Sequence, residues 1–196
     1  HNMSSIKLTA DSGGGTFELK APASSSNTRS YTLPDVASIS TLGGIDEFDY
    51  WYLTTSVTSD GDLTSNLIRN DRSGITPSER IGTGMTESSG IFTFPRTGKY
   101  VVFVQASFVI NGSDSVALDT QVTTNNSAYS THTRATDGSG SGTRTGGSFS
   151  IAFIDVTDTT QVKVKFNATS LGSGSSLTGS SSYITTGFVF MRIGDT

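Results

Sequence analysis

Few residues of this 196-residue chain could do chemistry, and the best spaced of them form an acidic turn. Asp60-Gly61-Asp62, with Asn66 nearby, has the composition of a calcium-binding loop, because hard cations prefer several oxygen ligands on a tight turn. Asp and Gly are equally common in turns that bind nothing. We favour the simple turn, expect no bound cofactor, and retain Asp60 and Asp62 as calcium candidates.

Residues suited to catalysis are scarcer. His132 is the only histidine besides His1, and a general base requires a positioned partner that the sequence does not offer. Asp46, Glu47 and Asp49 form a second acidic group, and acids in this region could supply the paired carboxylates of a glycosidase. The absence of cysteine excludes disulfides, thiolate metal sites and cysteine nucleophiles. We therefore expect a protein that is not an enzyme, and a fibre-borne glycosidase is the third of three hypotheses.

The composition of the chain also limits the classes of partner that it could bind. The net charge is −4 and no cluster of Lys and Arg exists, which argues against a nucleic-acid partner. No apolar run reaches the length of a membrane span, so we expect no membrane insertion. The low charged fraction of 15% and the 22 glycines are typical of many short strands joined by polar turns.

The elements that would position any site are therefore β-strands, and two of them have apolar residues on both faces. Side chains alternate along a strand, so Tyr100 and Val102 lie on one face and Val101 and Phe103 on the other. The segment Tyr183–Ile193 repeats this pattern. An antiparallel strand with one wet face would alternate apolar and polar residues. The pattern predicts a sheet that packs on its own core and also on another copy of the chain.

The strand pattern is regular after Phe48, whereas the region before it holds only short alternations. We predict these strands: Ile6–Leu8, Thr16–Lys20, Ser30–Leu33, Tyr50–Val57, Ile91–Phe94, Tyr100–Ile110, Ser115–Thr124, Ala128–Ala135, Gly147–Val156, Gln161–Ala168 and Tyr183–Ile193. Asn111-Gly112 is the strongest hairpin signal in the chain. The domains expected are vector-derived residues at 1–3, an N-terminal extension at 4–47 and an all-β domain at 48–196.

Two Gly/Ser-rich segments, Asp137–Gly147 and Gly172–Ser182, are predicted to be exposed loops outside the core. Loops on a rigid scaffold often carry recognition. The residues that we predict to contact a partner are Asp137, Ser139, Arg144, Ser173, Ser176 and, near a loop end, Tyr129.

Motifs in three places resemble the signatures of tumour-necrosis-factor-like and complement globular-head domains, and together they cover roughly residues 48–196. They are Gly90–Pro95 with Thr97–Phe103, Gly146–Ile151 with Gln161–Val164, and Thr186–Phe190. The resemblance implies an antiparallel jelly-roll sandwich that forms homotrimers through one sheet. The positions that it would turn toward the three-fold axis are Val101, Phe103, Gln105, Thr185, Gly187, Val189 and Met191.

The N-terminal part carries a second resemblance. Phe17–Pro22, followed after a polar gap by Tyr31–Pro34, is similar to segments of tail-fibre and appendage proteins of marine bacteriophages. This resemblance implies a virion protein whose N-terminal segment contacts other virion proteins and whose homotrimeric knob attaches to a host-surface glycan or protein. The alternative is a secreted or cell-surface bacterial carbohydrate-binding adhesin with the same trimeric head.

Overall fold

The structure is a computed structural model, and the residues it describes are 5–9, 16–20, 44–70, 80–138 and 140–196. The chain divides into two units, His1–Ser40 and Thr41–Thr196. In the first unit, β1 (Ser5–Thr9) and β2 (Thr16–Lys20) form an antiparallel pair; the sequence predicts both strands but not that they pair with each other. The predicted strand Ser30–Leu33 lies outside the described residues.

The second unit consists of two antiparallel sheets, which we call sheet I and sheet II. Sheet I has the order β11 (Thr143–Val156), β8 (Gly98–Asn111), β14 (Gly187–Gly194), β3 (Phe48–Leu53) and β5 (Leu67–Arg69), and β13 (Ser176–Leu177) also pairs with β8. Sheet II has the order β10 (Ser130–Gly138), β9 (Ser115–Thr123), β12 (Lys163–Thr169), β7 (Ile91–Thr93) and β6 (Thr86–Ser88), and β4 (Gly61–Asp62) also pairs with β12. The all-β prediction is confirmed, and no helix of the described residues is long and apolar enough to cross a membrane.

Aromatic side chains fill the space between the sheets. Phe166 of sheet II stacks on Phe188 of sheet I with ring centroids 4.0 Å apart. Phe92 of sheet II contacts Phe190 at 5.1 Å and meets Trp51 edge-on at 5.4 Å. Such ring pairs add to the free energy gained by burying apolar area, so this cluster fixes how the two sheets face each other.

A buried carboxylate joins β3 to the segment before β6. Asp49 is 1% exposed, and its oxygens accept hydrogen bonds from Trp51 Nε1 at 2.8 Å and from the Met85 backbone N–H at 2.7 Å. Arg69 on β5 completes the arrangement, with its Nε 2.9 Å from Asp49 Oδ1. A buried charge is tolerated only when it is paired in this way. The cluster therefore holds the β3 edge of sheet I in a defined position.

The Asn111-Gly112 hairpin prediction is wrong. β8 pairs with β11, β14 and β13 in sheet I, whereas β9 pairs with β10 and β12 in sheet II, so the turn carries the chain from one sheet to the other. Only Gly112 of the two residues has a positive φ, at 62°. A two-residue type I′ hairpin needs a positive φ at both positions, and this turn does not provide it.

The two Gly/Ser-rich segments are also more ordered than predicted. The first is mostly strand, because β10 continues to Gly138 and β11 begins at Thr143. The second contains β13, whose Leu177 pairs with Phe108 and is completely buried. One large apolar side chain is enough to bring a Gly/Ser-rich segment into the core.

Candidate functional site

The outer surface of sheet I carries apolar side chains in register across its strands. Directly paired residues of an antiparallel sheet share a face, so the pairing sorts these side chains into three rows. The rows are Phe153, Val101, Met191, Phe48 and Ile81; Ile151, Phe103, Val189 and Tyr50; and Phe149, Gln105, Gly187, Tyr52 and Ile68. We call this set the apolar face. None of its members is charged, and Gln105 is its only amide.

The protomer leaves much of the apolar face uncovered. Phe149 is 75% exposed, Phe153 53%, Ile151 50% and Phe103 39%. Strand and residue spacings give the face dimensions of about 20 Å by 20 Å, or roughly 400 Å². An apolar patch of this size is comparable to the largest patch on a typical monomer, and such patches are often functional. On one side the apolar face ends at an ion pair next to the first row, in which Lys99 Nζ and Asp155 Oδ2 are 3.1 Å apart.

A hollow of about 250 Å³ lies near the centre of the apolar face, between Phe103, Phe149 and Tyr50. Gly187 makes it possible, because a Cβ at this position would lie 2.7 Å from Cε2 of Tyr50. Without a side chain at 187, the Tyr50 ring lies against β14. The hollow therefore depends on glycine at position 187, and it is wide enough to receive a side chain from another molecule.

The residues predicted to face the three-fold axis mostly lie on this surface. Val101, Phe103, Gln105, Val189 and Met191 belong to the rows, while Gly187 is buried at the floor of the hollow. Thr185 differs, because β14 begins only at Gly187. Its backbone carbonyl accepts a hydrogen bond from Gln105 Nε2 at 3.0 Å, and its hydroxyl donates to the Thr178 carbonyl at 2.7 Å. Thr185 thus borders the face instead of continuing the strand.

The most exposed members of the face were not among the predicted site residues. Phe149, Ile151 and Phe153 lie on β11, the edge strand of sheet I, and point away from the core. The alternation that identified β8 is present here too, since the opposite side of β11 carries Ser150, Ala152 and Ile154. Looking for apolar residues on both faces of the predicted strand Gly147–Val156, as for Tyr100–Ile110, would have identified these three residues.

The calcium candidates are engaged in protein contacts. Asp62 accepts hydrogen bonds from Lys165 Nζ and Asn167 Nδ2, each at 2.7 Å, and Asp60 Oδ1 accepts one from the Leu171 backbone N–H at 2.7 Å. Partial burial raises the pKa of Asp62, but the Lys165 and Asn167 hydrogen bonds and the Lys165 charge outweigh it and lower the pKa overall. Among the described residues, no three carboxylate or imidazole side chains converge on one point.

The predicted contact residues of the two Gly/Ser-rich segments are mainly tied to neighbouring strands. Arg144 forms an ion pair with Asp137, and its Nε donates to the Gly138 carbonyl at 3.1 Å. The Ser173 carbonyl accepts a hydrogen bond from Asn111 Nδ2 at 2.9 Å, and Ser176 lies in β13. Ser139 lies outside the described residues. Contact between these residues and a partner stays a prediction.

Tyr129 lies on the outer side of sheet II, next to the ion pair of Asp62. Lys165 Nζ is 4.7 Å from the centroid of the Tyr129 ring, a cation–π distance. Burial, and then the negative charge of Asp62, raise the pKa of the Tyr129 phenol. The ring therefore covers a polar cluster of its own protomer and is not a freely exposed stacking platform.

A second concavity, which we call the edge cleft, lies where β10 and β11 separate. Its volume is about 430 Å³, and its lining includes Ser130, His132, Phe153 and Asp155. The pairing of β10 with β9 shifts between Thr131 and Thr133, so His132 is the extra residue of a β-bulge. The bulge brings His132 Nε2 to 3.2 Å from the Phe153 carbonyl on the other sheet.

Comparison with known proteins bears on the fold. No protein-family model matches the sequence, and no match is found among the curated proteins. Among solved structures, that of the Eiger TNF from S. frugiperda matches with a TM-score of 0.57 and 16% identity over 76% of this chain and 93% of that one. Murine APRIL at pH 5.0 matches with a TM-score of 0.54 and 12% identity, over 74% of this chain and 98% of that one. The fold is a tumour-necrosis-factor-like jelly roll.

This assignment confirms the predicted fold class, and at these identities the likeness extends to the fold alone. The apolar face occupies part of the outer side of sheet I, and the edge cleft lies at the open seam between the two sheets. The two features are adjacent, because Phe153 belongs to both.

Proposed function

We propose that the chain is a homotrimeric, non-enzymatic structural protein of a virus particle, whose jelly roll forms the knob of a capsid- or tail-associated appendage. The observation that carries this proposal is the uncharged apolar face on sheet I. Its occupant is a further copy of the chain, because the face arranges mainly apolar side chains in three registered rows and leaves several of them exposed in the protomer, as in a permanent interface.

The size of the face supports an obligate assembly. In a closed three-fold ring each protomer contacts two neighbours. The apolar face of about 400 Å² is then buried together with the surface around it. Stable interfaces bury about 800 Å² on each partner, which is the scale expected here. Covering the apolar face removes Phe149, Ile151 and Phe153 from water. The tumour-necrosis-factor-like resemblance noted in the sequence favours a trimer over a dimer.

The location on a virion is supported by the N-terminal segment. In the sequence, Phe17–Pro22 and Tyr31–Pro34 resemble segments of bacteriophage appendage proteins, and a shaft or anchor preceding a trimeric knob suits that arrangement. In the proposal, the N-terminal segment contacts other virion proteins and the knob attaches to the host surface. The proposal assigns the chain no enzymatic activity.

Two measurements test the proposal separately. Sedimentation equilibrium of the purified chain at micromolar concentration should give three times the protomer mass, and a stable monomer would refute the assembly. Mass spectrometry of purified phage particles, with immunogold labelling, should place the chain on the virion. Detection only on a bacterial surface or in culture medium would instead support the adhesin.

A further inference from the structure

We propose that the edge cleft is a binding site for a neutral saccharide unit of pyranose size, with His132 as its principal polar contact. The site lies within one protomer and goes beyond the assembly proposed above. Its volume of about 430 Å³ falls in the range of about 300–1,000 Å³ that is usual for small-molecule sites.

The polar groups of the cleft suit a ligand rich in hydroxyls. The Phe153 carbonyl can only accept, so Nε2 of His132 carries a proton, and in the neutral ring Nδ1 is left as an acceptor. Within the described residues Nδ1 forms no hydrogen bond. The exposed hydroxyls of Ser130 and Thr124 can both donate and accept. A ligand with several hydroxyls along one edge could use all three groups.

The charge of the cleft favours a neutral ligand. Asp155 is the only carboxylate in its lining, and it is already paired with Lys99 Nζ at 3.1 Å. An anion would be repelled by Asp155, and a cation would have to compete with Lys99. Phe153 is exposed in the protomer but belongs to the apolar face, so in the proposed trimer the apolar lining of the cleft comes from Val122, Ala128 and Val162. Apolar side chains beside a few convergent polar groups are the usual composition of such sites, and they match the C–H and hydroxyl surfaces of a pyranose.

The walls of the cleft are held in place before any ligand arrives. The loop between β9 and β10 is closed by Asn125, whose Oδ1 accepts from the backbone N–H groups of Ser127 at 3.0 Å and Ala128 at 2.9 Å. The Thr123 hydroxyl donates to the same oxygen at 2.9 Å. On the opposite side, the His132 bulge is fixed by its bond to β11. Such preorganisation lowers the entropy lost on binding.

The test uses the full chain and a panel of neutral methyl pyranosides, including glucoside, galactoside and mannoside, in titrations followed by nitrogen–proton NMR. At least one should bind with a dissociation constant of about 10 mM or tighter, typical of a single sugar making a few hydrogen bonds. The shifted resonances should include those of residues 130–132 and 153–155. Methyl glucuronide, in which a carboxylate replaces the C6 hydroxymethyl group of the glucoside, should bind more weakly than methyl glucoside.

Variants separate a built site from general surface binding. His132→Ala should weaken binding about fivefold or more, because one hydrogen-bonding group is lost. His132→Gln, whose amide can donate to the Phe153 carbonyl and also accept, should restore part of it. Thr86→Ala, an exposed change on the far edge of sheet II, should have no effect. Absence of binding across the panel, shifts confined to other regions, or equal affinity in His132→Ala would overturn the inference.

The result is independent of the assembly. A monomer that binds a pyranoside in the cleft would refute the trimer and support this site, whereas a trimer that binds none would do the reverse. Thermal unfolding of each variant shows whether a lost affinity reflects lost structure.

Discussion

The decisive perturbation is Phe103→Asp, because Phe103 lies in the middle row of the apolar face and is flanked by Ile151 and Val189. Its exposed fraction is 39%, which for a phenylalanine corresponds to about 80 Å² still open to water in the protomer. Covering that area on assembly contributes about 2 kcal/mol per subunit. The substitution removes this contribution.

The introduced carboxylate has a larger effect. A buried charge without a partner costs about 3–5 kcal/mol, and Lys99, the cation at the border of the apolar face, is already paired with Asp155. The two effects together destabilise the trimer by about 5–7 kcal/mol per subunit, and all three subunits carry the substitution. This is enough to change micromolar samples from trimer to monomer.

Analytical ultracentrifugation at micromolar concentration should therefore give a trimer for the parent chain and a monomer for Phe103→Asp and Val189→Asp. Thr86→Asp, an equal change of charge on an exposed residue of sheet II, should stay trimeric. The melting temperature of the monomeric variants reports on the fold itself. Trimers for both face variants, or a monomeric parent chain, would show that the apolar face is not the interface.

Three further predictions concern the protomer. Leu177→Ala should lower the free energy of unfolding by about 2–5 kcal/mol in denaturant titrations, because this completely buried side chain would leave a cavity, and a loss below about 1 kcal/mol would place the segment outside the core. Asp49→Asn should cost about 3–5 kcal/mol, since it leaves the Arg69 charge without its partner, and an unchanged melting curve would contradict that role. Burial, followed by the charge of Glu47, raises the pKa of Tyr100 to about 12, so the neutral phenol is favoured in the fold. The free energy of unfolding should be unaffected by Tyr100 below pH 10 and should fall by up to about 3 kcal/mol between pH 10 and 12. This fall should be smaller in Tyr100→Phe, and an equal fall in that variant would contradict the prediction.

The sequence allowed the fold class and part of the candidate interface to be predicted, because both depend on a period of two along single strands. Val101 and Phe103 on β8 and Val189 on β14 could be assigned to a second face without knowing which strands are neighbours. The tumour-necrosis-factor-like motifs then indicated the fold that the structure has.

What could not be predicted depends on contacts between distant segments. Whether Asn111-Gly112 joins two paired strands or two sheets is decided by where β9 pairs, and its partners are β10 and β12. The place of Leu177 in the core depends on its pairing with Phe108, about seventy residues earlier. The edge cleft likewise arises from a one-residue bulge at His132, which has no sequence signal of its own.

The His132 bulge also limits how the chain can associate. β10 and β11 each form one edge of their sheet, and long free edges invite further strands to add by backbone hydrogen bonding. Here the side chains of His132 and Arg144 donate hydrogen bonds to the carbonyls of Phe153 and Gly138, so neither carbonyl is free for an added strand. The bulge at His132 also interrupts the regular pairing of β10. An incoming strand would find neither edge continuous. Addition of strands at these two edges is thereby disfavoured, which suits the closed trimer that we propose.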